Sequence, residues 1–78
     1  MSNKENLTNE IMVIVKNLTK SNNIDKNSTQ DAIAQWDSLA YMSIISEIEL
    51  KYAISITQEN FMKFSSIQSI VNLIYVQD

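Results

Sequence analysis

Asp37-Ser38-Leu39-Ala40-Tyr41-Met42-Ser43-Ile44-Ile45-Ser46-Glu47-Ile48-Glu49-Leu50-Lys51-Tyr52 decides the reading of this chain. The polar pair Asp37-Ser38 has the chemistry of a helix N-terminus, where side-chain oxygens satisfy backbone N–H groups that lack an intrahelical partner. Behind it the apolar residues repeat with helical period. At a hundred degrees per residue, Tyr41, Ile44, Ile45, Ile48 and Tyr52 fall on one face, and Leu39, Met42, Ser46 and Leu50 on the opposite one. A surface helix normally carries one apolar stripe. This segment carries a strong one, which reads as core, and a weak one flanked by Glu47 and Glu49, which reads as a docking face. The spacing therefore predicts a helix over 38–52 that is buried on one side and offered to a partner on the other.

The segments around it are also helical in period. Leu7, Ile11, Ile14, Val15 and Leu18 recur at steps of three and four, predicting an amphipathic first helix, with Ser2-x-x-Glu5 as its capping box and Ser21-Asn22-Asn23 as its stop. Ser21 to Asp37 is polar, relieved by Ile24, Ala32, Ile33, Ala34 and Trp36. A loop this long must be pinned down or functional, and those apolar residues are the natural pins, with a short helical turn near Ser28–Ala34. Trp36 reads as an anchor packed on the bundle. Ala53-Ile54-Ser55-Ile56-Thr57 alternates as a short extended connector, Gln58–Phe64 offers one or two helical turns, and Ser65 or Ser66 can cap a last helix whose Ile67, Ile70, Val71 and Ile74 share a face. The fold expected is all-α: a small bundle of three main helices and one short one, with a long loop between the first and second. Ile44, Ile48 and Tyr52 should meet Ile14, Leu18 and Ile70 in its core.

Composition narrows the chemistry. Seventy-eight residues, 45% hydrophobic and 19% charged, make a single globular domain, residues 1–78, with little surplus stability. There is no Cys and no His, so a disulfide framework, a thiolate metal site and the commonest general base are all missing, and neither catalytic residues nor a metal site are expected. All six basic residues are Lys and the net charge is −3, a poor match to nucleic acid. Asp31, Asp37, Glu47, Glu49 and Glu59 stand against Lys51 alone in the middle of the chain, which suits a partner with a basic docking surface. The polar start, Met1 to Asn6, lacks the apolar run of a signal peptide, and Ile11–Val15 is too short to span a bilayer. A cytoplasmic protein without membrane insertion is expected. With no Gly and no Pro, chain breaks must be read from Asn, Asp and Ser.

Asp37-Ser38-Leu39 at a helix start, followed by Glu47-Ile48-Glu49-Leu50-Lys51-Tyr52-Ala53-Ile54-Ser55-Ile56 and closed by Phe64-Ser65-Ser66-Ile67-x-Ser69-Ile70-Val71-x-Leu73-Ile74, resembles the acyl and peptidyl carrier proteins over nearly the whole chain. The resemblance implies a four-helix carrier with 4′-phosphopantetheine attached covalently to Ser38, and Asp37 and Leu39 as its neighbours. A separate phosphopantetheinyl transferase would make the attachment from coenzyme A with a magnesium ion. The arm's thiol would then hold an acyl or aminoacyl group as a thioester for loading and transferring enzymes, with Leu39, Met42, Glu47 and Glu49 as the docking residues of a monomer. A serine hydroxyl is a weak nucleophile without a base, and this chain supplies none, which agrees with Ser38 being a substrate. The chain departs from the commonest fatty-acid carriers. Trp36 stands where Gly is usual, and Ala40 and Ser43 stand where acids are frequent, so it looks more like a dedicated carrier of a specialised pathway.

Each residue also has a plainer reading. Ser38 is the type that caps helices, Asp37 is favourable beside any helix N-terminus, single exposed apolar residues such as Leu39 and Met42 are ordinary, and Glu47 and Glu49 suit any solvated face. On that reading the protein is a small helical adaptor that binds a partner without a prosthetic group.

Overall fold

A computed structural model describes residues 2–77, with side chains described from Asn3 to Tyr75. Four helices follow one another among the described residues: α1 (Ser2–Thr19), α2 (Ser38–Tyr52), α3 (Gln58–Phe61) and α4 (Ile67–Gln77). A single 3₁₀ turn, Gln30–Ala32, interrupts the loop between α1 and α2. α1 packs on both α2 and α4. The expected all-α bundle is present, and α2 has the bounds its sequence predicts.

Ile11, Ile14 and Val15 of α1 meet Tyr41, Ile44, Ile45 and Ile48 of α2 and Ile67, Ile70, Val71 and Ile74 of α4 in one buried cluster. The cluster is dominated by isoleucine, a stiff β-branched residue that packs with little rotamer freedom left to lose. Tyr52 and Leu18, expected inside, are only half-buried at its rim. The reason for Tyr52 is its polar end: Oη donates to Glu10 Oε1 on α1 at 2.7 Å and stays near solvent. The Ser2 side chain, on which the capping box for α1 rests, lies outside the described side chains.

The residues that reverse the chain after α1 and α2 are not the Asn, Asp or Ser expected to do so. Thr19 closes α1, its hydroxyl donating to Val15 O at 2.7 Å, and Lys20 then turns left-handed at φ 63°. Ala53 does the same after α2 at φ 54°. A chain without glycine places the strained conformation on Lys and Ala instead, at roughly 1–2 kcal/mol each. The asparagines at 22 and 23 take no part in either reversal.

The loop 21–37 is pinned by more than its apolar residues. Ile33 and Trp36 are buried and Ile24 half-buried, whereas Ala32 and Ala34 stay exposed. The backbone adds a staple: Gln30 N donates to Ser65 O at 2.7 Å, Ile67 N donates to Ser28 O at 3.1 Å, and Thr29 pairs with Ser66 in an isolated antiparallel bridge. The loop thus lies along the segment that precedes α4, which brings the start of α2 beside α3. Thr57 caps α3 by accepting from Asn60 N at 3.1 Å, and Ser66 caps α4 by accepting from Ser69 N at 3.0 Å. α3 ends at Phe61, three residues short of the span its sequence suggests.

Candidate functional site

The start of α2 is built from Trp36, Asp37 and Ser38, and each has a separate task. Trp36, 2% exposed, anchors the loop from inside the bundle. Its backbone N–H donates to Ile33 O at 3.0 Å, so the chain turns tightly just before the helix. Asp37 is the N-cap: in extended conformation, its Oδ1 accepts from Ala40 N at 2.9 Å and its carbonyl accepts from Tyr41 N at 2.8 Å. Ser38 is the first helical residue and is exposed. No hydrogen bond among the described residues engages its hydroxyl. Capping, the plainer use of a serine here, belongs to its neighbour.

Beside Ser38 opens a shallow cleft of about 320 Å³, lined by Gln30, Ser38, Tyr41, Met42, Phe61, Met62 and Ser65. Its walls come from α2, from α3 and the turn after it, and from the stapled loop. Tyr41 forms the closed side. Its hydroxyl donates to Phe61 O and accepts from Phe64 N at 3.3 Å, and its ring meets Phe61 at 5.5 Å between centroids with the planes tilted by 56°. The sequence marked Tyr41 only as core; the signal available was a tyrosine at the head of that stripe, one turn beyond Ser38. Phe61 and Met62 carried no signal, because they reach the site from α3. Two other depressions, of about 480 and 640 Å³, lie between α1 and α4 and do not include Ser38. No group of three His, Cys, Asp or Glu among the described residues is placed to hold a metal.

The residues expected to dock partners fall out unequally. Leu39 and Met42 are 80% and 51% exposed beside Ser38, and Leu50 continues their face at 81%. Glu47 is exposed as well. Glu49 is half-buried, because its Oε2 accepts from Ile56 N at 2.9 Å and ties α2 to the connector.

The Ser38 hydroxyl is thus free of structural duty, at a helix N-terminus and beside a mostly apolar cleft. The amides of the first turn favour an anionic group there. Among known proteins, the family model described as phosphopantetheine attachment site matches residues 23–74, two thirds of the chain, from the stapled loop to the end of the α4 core face. No curated protein and no solved structure matches the chain significantly. On that match the chain belongs to the phosphopantetheine-binding family of acyl and peptidyl carrier proteins, whose members bear covalently attached 4′-phosphopantetheine.

Proposed function

We propose that Ser38 carries the 4′-phosphopantetheine arm, and that the protein holds an acyl or aminoacyl group for partner enzymes without catalysing a reaction itself. The observation that carries this reading is the division of labour between two neighbours: Asp37 caps α2, and Ser38 Oγ is left exposed and unengaged. Bound there, the group supplies a thiol able to form thioesters. The chain contributes the rest. Asp37 holds the first turn so that the hydroxyl faces outward, and the amides of α2 favour the phosphate. Tyr41, Met42, Phe61 and Met62 offer an apolar wall along which the arm and its cargo can lie. The absence of Cys leaves no competing thiol in the chain.

No His or Cys is present to activate Ser38, so the base for its modification comes from a separate transferase. The exposed face of Leu39 and Met42, with Glu47 at its edge, is the docking surface for that transferase and for the loading and acyl-transferring enzymes. Residues 1–78 act as one carrier unit, monomeric and cytoplasmic, serving a dedicated pathway. Among the described residues no helix is long and apolar enough to cross a membrane.

Intact mass tests the assignment. Incubation with coenzyme A, magnesium and a broad-specificity phosphopantetheinyl transferase should add the mass of one arm to the protein and none to Ser38→Ala. Modification that persists in the variant moves the site elsewhere. No mass gain by the unaltered protein overturns the attachment reading and leaves the adaptor.

A further inference from the structure

Tyr41 stands between the cleft and the bundle interior, and it is the one member of the α2 stripe in the buried cluster that carries a hydroxyl. Three residues after Ser38, it shares that residue's side of α2. It lines the cleft and also belongs to the buried cluster that contains Ile45, Phe64 and Ile67. Both functions of its hydroxyl are used, as donor to Phe61 O and as acceptor from Phe64 N, so one side chain bolts α2 to the segment running from α3 toward α4. The tilted ring pair with Phe61 adds a second fastening.

We infer that Tyr41 is the specificity-determining residue of this carrier: it bars cargo from the bundle core and confines it to the outer cleft, so the protein suits compact acyl or aminoacyl groups over long chains. The inference rests on Ser38 bearing the arm. An isoleucine or leucine at this position could swing aside and let α2 and α3 part, losing only packing contacts. Tyr41 cannot, because parting strips a buried hydroxyl, the Phe61 carbonyl and the Phe64 amide of their partners together, and such orphaned groups are costly. Behind Tyr41 the interior is apolar and closed to solvent: Ile44, Ile48, Phe64, Ile67 and Ile70 are fully buried. What remains is about 320 Å³ of open cleft, at the small end of binding pockets. Methylenes beyond it stay in water.

The test compares acetyl, hexanoyl and decanoyl thioesters on the protein, on Tyr41→Phe, which keeps the ring, and on Tyr41→Leu, which does not. Hydroxylamine cleavage of the three should agree within about twofold in the unaltered protein, because methylenes left in water gain nothing from burial. In the variants the decanoyl thioester should be cleaved more slowly than the acetyl one, by about fivefold or more in Tyr41→Leu. In the unloaded protein, amide exchange at Phe64 should rise about tenfold in Tyr41→Phe as the bolt is lost. Chain-length-dependent shielding in the unaltered protein overturns the inference, as do folded variants with no such dependence or an unchanged Phe64 amide. Should both variants unfold, the chain-length series on the unaltered protein decides. An arm on Ser38 with shielded decanoyl refutes this inference alone, whereas no arm on Ser38 refutes the attachment reading and this inference with it.

Discussion

Asp37 Oδ1 accepts the Ala40 amide proton at 2.9 Å, and this bond separates what holds α2 from what the helix presents. Asp37 and the next residue, Ser38, are of similar capping type. Only one of them contributes to the fold.

Their substitution should therefore have opposite consequences. Asp37→Ala removes the cap and should lower stability by about 1 kcal/mol. Ser38→Ala removes a hydroxyl with no partner and should change stability by less than about 0.5 kcal/mol while abolishing modification. Urea denaturation of both variants checks the pair. The reverse order would make Ser38 the cap and Asp37 the dispensable neighbour.

Ala53 closes α2 in the left-handed region at φ 54°, where glycine is free of the Cβ clash. Ala53→Gly should raise stability by about 0.5–1 kcal/mol, the relief of strain exceeding the extra freedom glycine gains in the unfolded chain. A lower melting temperature in this variant would show that the Ala53 methyl packs against something worth more than the strain.

Tyr52 links pH to stability. Partial burial, and then its hydrogen bond to the Glu10 carboxylate and the charge on that group, hold its phenol well above the ordinary tyrosine value. The folded protein therefore keeps this proton where the unfolded chain has lost it. The contribution is intact below about pH 10, the unfolded value, and is lost as pH rises beyond it. The stability difference between the protein and Tyr52→Phe should shrink above about pH 10. A difference that stays constant through that range would mean the phenol is not held by Glu10 in solution.

Met42 and Glu47 test the docking face. Met42→Glu should weaken transfer by the cognate transferase or loading enzyme and leave helical content and melting temperature nearly unchanged, because Met42 is half exposed. Glu47→Lys should slow association, and the effect should shrink as salt rises, since rim charges act chiefly by steering. Full activity in both variants would place docking off this helix. Collapse of the fold by Met42→Glu would make the weak stripe part of the core.

What could be read in advance was local and periodic. The stripes of α2 and α4, the bounds of α2 and a serine cap for α4 at 65 or 66, which the structure gives to Ser66, follow from residue spacing and from side chains that act within one turn. What escaped was set by distance or by backbone. Asp37 and Ser38 have the same capping chemistry, so only the geometry of Ala40 N assigns the task. Tyr41 finds its hydroxyl partners twenty and twenty-three residues further along, which no helical period registers. The staple between Gln30 and Ser65 is backbone to backbone and leaves no mark on residue type. Glu49 looked like a solvated edge until the connector brought Ile56 N to its carboxylate.

Trp36, the only tryptophan in the chain, lies buried two residues ahead of Ser38, and its Nε1 has no hydrogen-bond partner among the described residues. Its emission therefore comes from one place, the buried anchor of the loop that leads into the serine. Light from an indole in dry surroundings is blue, and lifting the loop to admit water would redden it. The protein thus carries its own optical gauge of whether that loop stays seated, readable without any label.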